Sequence, residues 1–86
     1  MRKQRSVEDR ARDCLRRVAK RLGFVLRHDG PRHYGLRHRG RLVGTYRADL
    51  LTIYAGTGTC HGLRAVAVEA GVKLVEGARM ERGRGT

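Results

Sequence analysis

A chain of 86 residues with nine leucines, eight valines, one isoleucine, one Phe and no Trp holds one domain with a modest core. A domain of this size buries about 60–65% of its unfolded surface. Its two cysteines exclude a disulfide scaffold, its net charge is +12, and no apolar run approaches the ~18 residues of a membrane span. No signal-peptide core precedes the first charged helix, so the expectation is a cytoplasmic protein with reduced thiols and no membrane partner.

The charge is lopsided. Residues 1–47 carry 15 Lys/Arg against four acids, net +11, and residues 48–86 carry five against four, net +1. Self-repulsion on this scale weakens a compact state until counter-charge arrives, and nucleic acid or an anionic membrane is the usual source. Arginines outnumber lysines 17 to three. Arg suits bidentate phosphate and guanine contacts, although a GC-rich gene raises Arg, Gly, Ala and Val without any selection for binding.

In chain order, residues 1–5 form a basic arm, residues 6–75 the domain, and residues 76–86 a flexible basic tail. Ser6 is an N-cap with Glu8 and Asp9 in the first turn behind it. Val7, Ala11, Cys14, Leu15, Val18, Ala19 and Leu22 then recur at helical spacing, and Gly23 closes the helix. The first half of its polar face pairs charges at i,i+4, as Glu8–Arg12 and Asp13–Arg17. The second half stacks Arg16 on Lys20 and Arg17 on Arg21, a basic edge or a complement to the helix C-terminus.

The segment from Arg27 to Arg47 holds six arginines, three histidines and one acid in 21 residues. Arg-His recurs there at a five-residue period, at Arg27-His28, Arg32-His33 and Arg37-His38. An odd period flips face at each copy on a continuous strand, so the three histidines converge only if turns intervene, and Asp29-Gly30-Pro31 and Arg39-Gly40 are the turn candidates. The reading is an antiparallel meander with strands at Phe24–His28, Arg32–His38 and Arg41–Arg47. Phe24, Leu26, Tyr34, Leu36, Leu42, Gly44 and Tyr46 face inward. Val25, Arg27, His33, Arg37, Val43, Thr45 and Arg47 face out. Residues 48–55 fit either a helix or a strand period, with Thr52-Ile53-Tyr54 favouring strand. A second helix over His61–Ala70, stopped by Gly71, and a closing strand over Val72–Val75 complete the domain. The fold class is α+β, α-β-β-β-α, with an antiparallel sheet packed on two helices. Leu15-Arg16-x-Val18-Ala19…Gly23 and Leu63-Arg64-x-Val66-Ala67…Gly71 match position for position, as two helices built to the same pattern.

Cys14, Cys60, His28, His33, His38 and His61 lack the tight paired spacing of a zinc site. The loop Gly56-Thr57-Gly58-Thr59 precedes a helix but lacks a Walker lysine, and no dinucleotide fingerprint is present, so no metal or cofactor is expected. Ala70-Gly71-Val72 has the form of a helix-turn-helix turn, but Gly77 stands where the second helix needs an apolar anchor. Tyr34, Tyr46 and Tyr54 can stack on bases or fill the core.

Gly23-Phe24-Val25-Leu26, Gly30-Pro31-Arg32-His33-Tyr34 and Leu63 to Val72 together resemble the HicA-type toxins, over about Cys14 to Leu74. The resemblance implies a double-stranded-RNA-binding-like fold, ribonuclease activity and a small antitoxin-like partner. It places a catalytic histidine at His33, acting as general acid or base while Arg32 and Arg37 hold the phosphate. Pro31-Arg32 stands where the family has one serine, and the family's later Pro-x-His element has no counterpart between Tyr46 and Gly62. The composition also looks like that of small actinobacterial and phage proteins.

The expected function is nucleic-acid binding through Arg27, Arg32, Arg37, Arg39, Arg41 and Arg47, supported by Arg16, Arg17, Lys20 and Arg21. RNA is favoured over DNA by the fold resemblance. The alternatives are a toxin-like ribonuclease using His33 and an adaptor, for example phage-encoded, docking on an acidic protein. A homodimer is compatible with each.

Overall fold

The computed structural model describes residues 6–56 and 61–77, with only the backbone of His61. The basic arm, Thr57 to Cys60 of the glycine-threonine loop, and the tail beyond Gly77 lie outside the described residues. Helix α1 spans Val7–Arg21, followed by strands β1 Phe24–Gly30, β2 His33–His38, β3 Arg41–Arg47 and β4 Thr52–Ala55. Helix α2, His61–Ala70, leads to β5, Lys73–Glu76. The α+β class holds, and the order is α-β-β-β-β-α-β: the outline α-β-β-β-α gains β4, within the segment that favoured strand, and β5, at the expected closing strand.

Helix α1 begins where the Ser6 hydroxyl accepts the Asp9 N–H at 3.1 Å, with Glu8 and Asp9 in its first turn and Lys20 and Arg21 in its last. It ends at Gly23, whose φ of 92° few L side chains adopt. Gly71, at φ 74°, ends α2 in the same way. The two helices bury corresponding residues, Leu15, Val18 and Ala19 in one and Leu63, Val66 and Ala67 in the other. The repeated sequence pattern therefore encodes one local unit used twice: a helix, a left-handed glycine and a strand.

The five strands form one sheet in the order β1-β2-β3-β4-β5. The first three pairings are antiparallel. Strand β5 joins β4 in parallel after α2 crosses over, as parallel neighbours require. Lys73–Glu76 is therefore strand, which removes the helix-turn-helix reading. Both helices lie on one side of the sheet, over Phe24, Leu26, Tyr34, Leu36, Tyr46, Ile53 and Ala55. Burial of Leu36 alone stabilises the fold by about 1.5–3 kcal/mol.

Residues 48–51 are a turn, and β4 starts only at Thr52. Leu51 takes a positive φ of 50°, and the Thr52 hydroxyl donates to the Leu50 carbonyl at 2.7 Å, which redirects the chain into the strand. Ile53 and Ala55 then alternate into the core.

A bulge in β3 corrects the inward and outward assignment. Leu36 pairs with Gly44 and Arg37 with Leu42, leaving Val43 as the extra residue. The alternation shifts phase there. Leu42, expected inside, stands on the uncovered side at 51% exposure, while Val43 packs half-buried at the core margin. Gly44 lies where α2 meets the sheet: a Cβ there would come 3.1 Å from the Tyr54 carbonyl oxygen and 3.2 Å from Leu63 Cδ2.

Candidate functional site

Directly paired residues in a sheet point to the same side, so the register places each side chain. The uncovered side carries Val25, Arg27 and Asp29 from β1, and His33, Gly35 and Arg37 from β2. It continues with Leu42, Thr45 and Arg47 from β3, Thr52 and Tyr54 from β4, and Lys73 and Val75 from β5. This is the cationic face expected from the alternation, with Leu42 in place of Val43. Lys73 belongs to it and was not among the expected site residues. Its position depends on the parallel pairing of Thr52 with Lys73, which no local pattern announces.

The expected basic residues do not all gather on this face. Arg27 and Arg37 do, on neighbouring strands, and no ion pair holds either among the described residues. Arg47 is there too, but its guanidinium forks onto Asp49, with Nε at 3.1 Å and the terminal nitrogen at 2.9 Å. That fork holds the Asp49 carboxyl below the usual carboxylate range, chiefly through the side-chain hydrogen bond from Arg47. Arg39 occupies the tip of the β2–β3 hairpin at φ 55°, beside Gly40 at 80°. Two consecutive positive φ angles match the right-handed twist of the flanking strands.

Arg32 and Arg41 lean the other way. Arg32, at φ 62° in the β1–β2 turn, approaches Glu8 of α1 at 3.7 Å. Arg41 pairs with His38, whose ring lies 4.7 Å from the buried Phe24 on the helix side. Arg16, Arg17, Lys20 and Arg21 belong to α1 and so to the covered side, and Arg21 is bound to Glu69 of α2. The helix charge pattern also differs from expectation. Glu8 turns to Arg32, while Arg12 pairs with Asp9 at 3.5 Å and Asp13 at 3.2 Å.

His33 is exposed at the start of β2, opposite Arg47 in the register. No carboxylate or carbonyl orients its ring among the described residues. Of the tyrosines, Tyr34 and Tyr46 are core and only Tyr54 reaches the uncovered face, half-buried. Cys14 is a free, half-buried thiol at the core margin.

The uncovered face is not purely cationic. Val25, Leu42 and Val75 stand on it at 56%, 51% and 40% exposure, interleaved with the basic side chains. Asp29 lies over Gly35, where an added Cβ would sit 3.0 Å from its carboxylate oxygen and 3.1 Å from Leu42. Glycine at 35 thus lets a carboxylate and a leucine close over the sheet between Arg27 and Arg37. No helix among the described residues is long and apolar enough to cross a membrane. No family model, curated protein or solved structure matches the chain.

Proposed function

We propose that this protein binds single-stranded nucleic acid across the uncovered face of its sheet. Arg27, Arg37 and Lys73 contact phosphates there, and Arg39 contacts them at the hairpin tip. The observation that carries the reading is Arg27 and Arg37 as diagonal neighbours on adjacent strands, neither in an ion pair among the described residues, on a sheet face that neither helix covers. In a chain of net charge +12, such a face attracts a polyanion. The apolar side chains between the cations favour a strand whose bases are unstacked over a duplex that hides them. Tyr54 offers a ring at the same level. RNA is favoured over DNA by the toxin-family resemblance alone, which is fold analogy.

Binding of a fluorescent single-stranded 20-mer RNA, followed by anisotropy across a salt series, tests the reading. Log K should fall linearly with log[salt] with a slope of about −2.8, from about 0.7 for each of the four cations named. A flat dependence, or no binding at low salt, overturns it.

A further inference from the structure

On the helix side of β1 an open cleft of ≈ 440 Å³ is lined by Arg12, Asp13, Arg16, His28 and Tyr34. None of the open-face cations takes part in it. Its size falls within the range of small-ligand sites, about 300–1,000 Å³.

Its groups are unequal. Arg12 is committed to Asp9 and Asp13. Arg16 follows it by four residues, so it lies on the same side of the helix. No ion pair holds Arg16 among the described residues, and its guanidinium is exposed. His28 is exposed and pairs with Tyr34 in the register, the two rings 4.8 Å apart and tilted by 36°. Tyr46 lies behind Tyr34, with ring centroids 6.0 Å apart. Its side chain is buried and its hydroxyl has no hydrogen-bond partner among the described residues. Burial, and then Glu8 and Tyr34, push its phenol upward, while Arg12 pulls it down. A buried polar group without a partner is uncommon and calls for an explanation.

An uncommitted guanidinium and an exposed ring packed on a second ring therefore meet at one cleft, with the Tyr46 ring buried behind it. We propose that the cleft is a subsite for a nucleoside phosphate, with the base against His28 and the phosphate on Arg16. A planar imidazole supported from behind is a stacking platform. A guanidinium without an ion pair can make a charge-assisted, bidentate contact with a phosphate. The same chemistry is offered by a free mononucleotide and by the 5′-phosphorylated end of a strand. The site lies across the sheet from Arg27 and Arg37, so it does not depend on the open-face reading.

The test is an NMR titration of the full chain with AMP, adenosine, inorganic phosphate, and a pentanucleotide with and without its 5′-phosphate. AMP or the 5′-phosphorylated pentanucleotide should give saturable shifts centred on Arg16, His28 and Tyr34, with adenosine and the unphosphorylated strand weaker. Saturation by AMP identifies the free nucleotide as a ligand, and saturation by the pentanucleotide alone identifies a strand end. Arg16→Gln should weaken whichever ligand saturates by about tenfold, the worth of one charge-assisted hydrogen bond. His28→Ala should weaken it by about tenfold while leaving inorganic phosphate unchanged, since only the nucleoside part uses the ring. Arg27→Gln on the opposite face should leave both unchanged. Arg16 and His28 are exposed, and retained amide dispersion in each variant shows that the fold persists. Absence of saturable shifts, shifts centred on Arg27 and Arg37, or unaltered affinity in Arg16→Gln would each overturn the subsite. Failure of the 20-mer salt series alone would overturn only the open-face reading.

Discussion

Replacing Arg27 and Arg37 with glutamine removes two positive charges from the uncovered face and leaves the core untouched. The control is Arg17→Gln with Lys20→Gln, which removes the same charge from the helix layer. Each phosphate neutralised on a single strand contributes about 0.7 to the salt slope, so four contacts give about −2.8. Between 50 and 200 mM salt, log[salt] rises by about 0.6, and wild type should lose about 50-fold in affinity. The face variant, with two contacts left, should show a slope of about −1.4 and lose only about sevenfold over the same interval. The helix variant should keep the wild-type slope, because its charges lie across the sheet from the strand. Anisotropy with one labelled RNA serves for all three proteins, with thermal melts to show equal folding. Equal reduction of slope in both variants would mean that net charge, and not the uncovered face, governs binding, and the placement of the site would be refuted.

Asp49→Asn should release Arg47 from its fork and steepen the slope by about 0.7. In wild type the Asp49 carboxyl is held below its ordinary 3.8, so the fork's contribution is present above that pH and is lost as pH falls through the lowered value; carboxyl-carbon NMR of Asp49 should show the titration there. Tyr46→Phe removes a buried hydroxyl without a partner and should stabilise the fold by about 1 kcal/mol in urea denaturation. Because burial raises the Tyr46 phenol above 10.0, the unfolded chain ionises first. Wild-type stability should therefore fall as pH rises through 10.0, and the phenylalanine variant should fall less. Gly44→Ala should cost about 1–3 kcal/mol, since the new methyl meets the Tyr54 carbonyl at 3.1 Å, a backbone atom that cannot turn aside; an unchanged urea midpoint would contradict that packing.

What the sequence by itself determined is local. Ser6, the apolar spacing through Leu22 and the positive φ of Gly23 specify α1, because capping and helical period act within a few residues. Strand β3 and α2 fall where alternation and spacing place them, and Arg39-Gly40 makes the hairpin turn its residues call for. The outward position of Arg27 and Arg37 is equally legible, since it needs only the two-residue period. Tertiary structure decided the rest, because it depends on register between distant segments. The bulge at Val43 turned Leu42 outward, and the parallel pairing of β5 with β4 brought Lys73 onto the uncovered face. The layering of helices on one side divided the basic residues between two surfaces. Ion pairs with Asp49, Glu8 and Glu69 then occupied Arg47, Arg32 and Arg21. The meeting of Arg16 with His28 and Tyr34 belongs to the same class: helix and strand each place their own residues, but only packing one on the other makes a cleft between them.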